Sequence, residues 1–136
     1  MAANTNPVFQ LQPVIMTASL VSPTAVTSRA DITGTTNLTE VASSDTTYTD
    51  GRKIDRVEIK AKETTVAGIV ALWIYDGTTS RLFDEFLVSA LTPGNTTPSW
   101  STGKSYDHLV LPSGHKLYCS VTVDQDFDVF AFAGDY

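Results

Sequence analysis

The sequence predicts an all-β protein: an antiparallel β-sandwich, jelly-roll-like, with an extended N-terminal arm. Three observations lead there. The 136 residues are rich in Thr, Ser, Val, Ile, Phe and Tyr and poor in the Ala, Leu, Glu and Lys mixture of helices. Apolar residues recur at every second position or in short unbroken runs. Gly, Pro and Asp punctuate those runs in the manner of turns. A chain of this length fits one domain, and 42% hydrophobic residues suffice for a core.

Residues 1–23, MAANTNPVFQLQPVIMTASLVSP, contain Pro7, Pro13 and Pro23 and no charge. Proline fixes φ and removes a donor, which argues against a helix or a central strand. The segment reads as an extended arm ahead of a sandwich domain spanning residues 24–136. Ordering its backbone costs about 1–2 kcal/mol per residue. Burying its large apolar side chains returns about 1.5–3 kcal/mol each. The sums are close, so pairing with a sheet edge, in its own subunit or a neighbour, has to help. We expect the arm to lie over a partner, with Val8, Phe9, Leu11, Val14, Ile15 and Met16 as its contacts. The alternative is an ordinary first strand.

The strands follow in order. TGTTNLTEVAS is a weak, polar candidate ending in the loop SSDTTYTDGRK. VEIKAK alternates, with Val57, Ile59 and Ala61 inward and Glu58, Lys60 and Lys62 outward. Ile54 is out of phase with Val57, which predicts a bulge near Asp55 and Arg56. AGIVALWIYDG is apolar on both faces, as in a central strand covered on both sides. Asp76-Gly77 signals a hairpin, which makes RLFDEFLVSAL a return strand and not a short helix. TPGNTTP is a loop before a polar strand around Trp100. LVLPSG holds a short strand and a turn, KLYCSVTV alternates, and FDVFAFAGDY closes the chain after a turn at Asp124-Gln125-Asp126.

The chemistry-bearing residues are few. Asp124, Asp126 and Asp128 have the alternate spacing of a calcium loop. Such a loop also needs glycine at its sixth position and Glu at its twelfth, where Val129 and Asp135 stand. A hairpin turn at Asp124-Gln125-Asp126, with Asp128 outward on the return strand, fits better. His108 and His115 lack metal-ligand spacing, and Ser113 in PSG is in a turn and not a nucleophile elbow. Cys119 is a small core residue by its place in an alternating strand. We therefore expect no cofactor, no metal and no catalytic set. A net charge of −6 and a pI near 4.6 argue against binding a nucleic-acid backbone. The start has no basic residue of a secretory signal, and VIMTASLV is too short to span a bilayer. Five basic residues cluster in RKIDRVEIKAK: Arg52, Lys53, Arg56, Lys60 and Lys62. They form either a solvated strand face or a docking patch for an acidic partner. Trp100 is the one aromatic offered as a sugar platform, in a receptor- or carbohydrate-binding alternative.

Four stretches, KIDRVEIKA, TTVAGIVALWIYDGTTSRLFDEFLVSALTPG, LVLPSGHKLYCSV and FDVFAFAGDY, resemble the small β-rich structural proteins of tailed bacteriophages. The decoration, or cement, proteins of capsids are the best comparison. The resemblance implies a virion protein made in the host cytoplasm. It implies a homotrimer that binds the major capsid protein on the shell exterior through arms or sheet edges. A tail, baseplate or fibre component is the alternative location.

Overall fold

A computed structural model describes residues 12–44 and 51–135. Ten strands make up the described chain: β1 Gln12–Leu20, β2 Ile32–Thr33, β3 Thr39–Ser43, β4 Arg52–Ala61, β5 Gly68–Tyr75, β6 Thr79–Val88, β7 Ser101–Ser105, β8 Val110–Leu111, β9 Lys116–Val121 and β10 Phe127–Asp135. All pairings are antiparallel. One sheet, here sheet A, runs β1-β10-β4-β7 with β8 also on β4; the other, sheet B, runs β2-β6-β5-β9-β3. Set aside the two-residue strands β2 and β8, and number the other eight in chain order. The sheets then read 1-8-3-6 and 5-4-7-2, the jelly-roll order.

The core lies between the sheets. Sheet A contributes Leu20, Ile54, Val57, Ile59, Phe127, Val129 and Ala131; sheet B contributes Val70, Leu72, Phe86, Val88, Leu117, Cys119 and Val121. Strict alternation in β4 and β10 produces this: each inward residue is buried and each outward one is partly or fully exposed, until Gly134. The bulge expected near Asp55 is present. Phe132 faces Arg56 and Ala133 faces Ile54, so Asp55 is the extra residue that resets the phase.

The central strand β5 is buried on both faces, as its sequence requires. Its outer face carries Ala71 and Trp73, and Trp73 Nε1 donates to Ser120 Oγ at 2.8 Å. The segment between β1 and β2 covers this face. Val26 N–H donates to Val121 O on β9, Arg29 pairs with Glu85 on β6, and Ile32 then pairs with Ser80. The segment after β1 is thus a strap across sheet B.

Three expectations change. Gln12–Leu20 is a nine-residue strand of sheet A, not an arm separate from the sandwich. Its even-numbered residues from Val14 to Leu20 turn toward the core while the odd ones face solvent, an alternation that prolines at its margins do not prevent. Second, the turn at Asp124-Gln125-Asp126 does not close a hairpin: β9 belongs to sheet B and β10 to sheet A. Third, Trp100 is 8% exposed and packs edge-on against Phe127, with ring centroids 5.8 Å apart. Its polar neighbours Ser99 and Ser101 lie beside a core residue, so no sugar platform exists there.

Two predictions arise from local chemistry. Burial pushes the Cys119 thiol up to about 12, which leaves almost no thiolate near neutrality. Alkylation of the native protein at mildly alkaline pH is expected to be negligible and to become complete only on unfolding, as mass spectrometry will show. At the β5–β6 hairpin, the Asp76 carboxylate accepts the N–H groups of Thr79 and Thr78 at 2.8 and 2.9 Å and a bond from Arg81. These bonds, Thr79 first, lower its pKa from 3.8 to about 2. A depressed carboxylate stabilises the fold above its unfolded value, and that contribution disappears as pH falls through the folded value. Thermal melts across that acidic window are expected to lose this component of pH dependence in Asp76→Asn.

Candidate partner-binding face

The sheet register maps the outer face of sheet A row by row. Ile15 lies beside Phe132, which lies beside Arg56, which lies beside Ser105. The next row is Thr17, Phe130, Glu58 and Gly103, and the next is Ser19, Asp128, Lys60 and Ser101. At the other end stand Pro13, Gly134, Lys53 and Val110. Strand β10 therefore presents phenylalanine on its outer as well as its inner face. Ile15 is 64% and Val110 40% exposed, while Phe130 and Phe132 are half-buried between their neighbours.

Charge frames this apolar strip. Arg56 Nε donates to Glu58 Oε1 at 2.6 Å and Arg56 Nη1 donates to Ser105 Oγ at 3.1 Å. The guanidinium lies over Gly103, where an added Cβ would come within 2.5 Å of Nη2. Glycine at this point leaves room for the Arg56 side chain to lie flat. Lys53 approaches Asp55 at 3.4 Å, and Lys62 approaches Asp128 at 3.3 Å. Asp128 also accepts from Ser19 Oγ at 2.7 Å; that bond, then Lys62, holds its carboxyl below the usual range. These pairs are exposed and add little stability. Their effect is to fix a polar rim around an apolar centre, the usual anatomy of a protein interface.

The structure thus joins two groups of residues that the sequence kept apart. Ile15 of the expected arm and Lys53, Arg56 and Lys60 of the basic cluster share one face. Val14 and Met16 turn inward and are partly buried, Met16 packing on its own sandwich, while Val8, Phe9 and Leu11 lie outside the described residues. Arg52 leaves the patch altogether. It is 7% exposed, and its Nε and Nη2 donate to the two carboxylate oxygens of Asp135 at 2.5 and 2.9 Å. Nη1 also donates to Ser43 O at 2.9 Å, tying β4, β10 and β3 together. Lys62 lies just beyond β4 and is exposed.

The outer edge of β1 borders the same face. In an antiparallel strand, a residue directs its N–H and C=O toward the same side. Pro13 has no N–H, so its side of the strand points away from β10. That orientation sends the polar backbone groups of Ile15, Thr17 and Ser19 outward too. The edge carries no charged residue, and within β1 Pro13 is the guard against pairing with another chain, leaving Ile15 to Ser19 unguarded.

The aspartates near the chain's end serve the fold. Asp126 accepts from Ser22 N–H at 2.8 Å, Asp128 takes Ser19 and Lys62, and Asp124 is exposed. Among the described residues, no group of three His, Cys, Asp or Glu side chains is placed to hold a metal ion. The sequence signal for the binding face was the run VFAFA, apolar at consecutive positions where a half-solvated strand would alternate. No family model matches the chain, and no curated protein does.

Proposed function

We propose that this protein is a non-enzymatic virion component of a tailed phage, a decoration protein. It binds the capsid exterior and reinforces contacts between major capsid subunits. The observation that carries the reading is the outer face of sheet A: Ile15, Phe130 and Phe132 in one apolar strip, rimmed by Lys53, Arg56, Glu58 and Lys60. The strip supplies desolvated anchors, and the basic side chains supply register against an acidic surface. The uncharged β1 edge adds a place for backbone pairing. Jelly-roll order is shared with viral capsid domains but also with unrelated functions, so the face and not the fold supports the proposal. Modest contacts suffice, because copies bound on a repeating shell act together.

Co-sedimentation with purified capsids tests this reading. Ile15→Asp places a charge on an exposed position and should leave folding unchanged within about 0.5 kcal/mol. Its shell affinity is expected to fall at least about tenfold, the effect of roughly 1.4 kcal/mol at one anchor. Leu87→Asp, at a residue 77% exposed on sheet B, serves as the control and should bind like wild type. Equal binding by all three proteins would remove the outer face of sheet A from the interaction.

A further inference from the structure

A second site stands at one end of the sandwich, away from the face just described. Ile74 and Asp76 from the end of β5, Arg81, Leu82 and Phe83 from the start of β6, and His115 before β9 line an open cleft of about 370 Å³. That volume is at the small end of the range for ligand pockets. The lining surface is mostly apolar, with Asp76, Arg81 and His115 as its polar side chains.

A bulge creates its aromatic wall. Leu72 faces Asp84 and Trp73 faces Leu82, so Phe83 is an extra residue in β6. Bulges re-aim side chains, and here the bulge brings Phe83 to the ring of Tyr106, with centroids 5.4 Å apart. Tyr106 is itself fixed: its hydroxyl donates to Asp84 Oδ2 at 2.8 Å, and Lys104 Nζ reaches the same oxygen at 2.9 Å. Phe83 remains 41% exposed while braced from behind. The contact with Tyr106 stabilises one side of the ring, and the rest of it faces the cleft as an apolar platform.

The polar groups narrow the ligand class. Arg81 Nη1 donates to Asp76 Oδ2 at 2.9 Å, and Asp31 approaches Arg81 Nε at 3.4 Å. One guanidinium shared between two carboxylates repels an anion. Asp76 already accepts two backbone N–H groups and Arg81, so its charge is met and attracts a cation only weakly. What remains is a donor and an acceptor side by side, Arg81 and Asp76. Such a pair suits adjacent hydroxyl groups. His115 lines the same cleft, with its Nδ1 buried and without a hydrogen-bond partner among the described residues, so its ring reports on occupancy by position and not by contact through that atom.

We infer that this cleft binds a neutral sugar. The C–H face of a pyranose ring would lie on Phe83, and its vicinal hydroxyls would bridge Arg81 and Asp76. This inference is independent of the shell-binding proposal, since the residues do not overlap.

The test is a glycan array carrying neutral and sialylated glycans, probed with the full chain. It is followed by nuclear magnetic resonance titration with free galactose, glucose and N-acetylglucosamine. Binding to neutral glycans and not to sialylated ones is expected, with the His115 ring signals shifting on titration. Phe83→Ala should weaken binding at least tenfold while remaining folded, and Ile15→Asp should bind sugar normally. A blank array with unmoved His115 signals would overturn the inference, as would sugar binding that Phe83→Ala leaves intact. Should Phe83→Ala fail to fold, the His115 shifts in the wild-type protein decide the matter alone.

Discussion

Arg52→Ala is expected to destabilise the protein by about 3–5 kcal/mol, a large share of the roughly 5–15 kcal/mol that holds a domain folded. The reason is the carboxylate left behind. The Asp135 side chain is 2% exposed, and both its oxygens are met by Arg52. Without the guanidinium, that charge remains in the interior without its bidentate partner. The same variant loses the bond to Ser43 O that ties β3 to sheet A. Urea unfolding should show a lower midpoint at nearly unchanged slope. The double variant Arg52→Met/Asp135→Leu removes both charges and should recover most of the loss, because a buried pair is costly to break and inexpensive to replace. A fall below about 1 kcal/mol in Arg52→Ala would mean that water reaches the pair.

Phe127→Ala is expected to cost about 3–5 kcal/mol by a different mechanism, loss of apolar contact plus the cavity left behind. Phe127 is fully buried at the start of β10, paired with Leu20 on one side and Ala61 on the other. Its ring meets Trp100 edge-on, a contact worth about 0.5–1.5 kcal/mol beyond the buried area. Thermal unfolding and Trp fluorescence report on the two effects together. Phe130→Ala provides the contrast three residues away. Phe130 faces outward, so its truncation should cost much less stability and act on capsid binding instead. If both substitutions destabilised the fold equally, the inner and outer assignment of β10 would fail.

These two positions show what the sequence makes legible. Period-two alternation in VEIKAK gave the inner and outer residues of β4, and the phase slip before Val57 gave the bulge at Asp55. Apolar runs on both faces marked β5 as central. Long-range pairing is another matter. Arg52 reads as a surface charge because its partner Asp135 is 83 residues away. Trp100 reads as exposed because its chain neighbours are serines, although alternation alone sends a single residue inward between them. The short turn before β10 suggests a hairpin, but the apolar residues of β9 and β10 face each other across the core from opposite sheets. The proposed binding face is assembled from β1, β10, β4 and β7, strands distant in sequence, so only the doubly apolar β10 signalled it. The cleft proposed for sugar depends on one bulge residue, Phe83, whose exposure no local pattern announces.

In the proposed function the outer face of sheet A meets a capsid surface. Electron cryo-microscopy of the virion tests it most directly. The account predicts density for this chain repeating on the icosahedral shell, with Ile15, Phe130 and Phe132 against the major capsid protein and the Phe83 cleft turned to solvent. Density confined to the tail, or a shell-bound copy with the outer face of sheet A open to solvent, would contradict it.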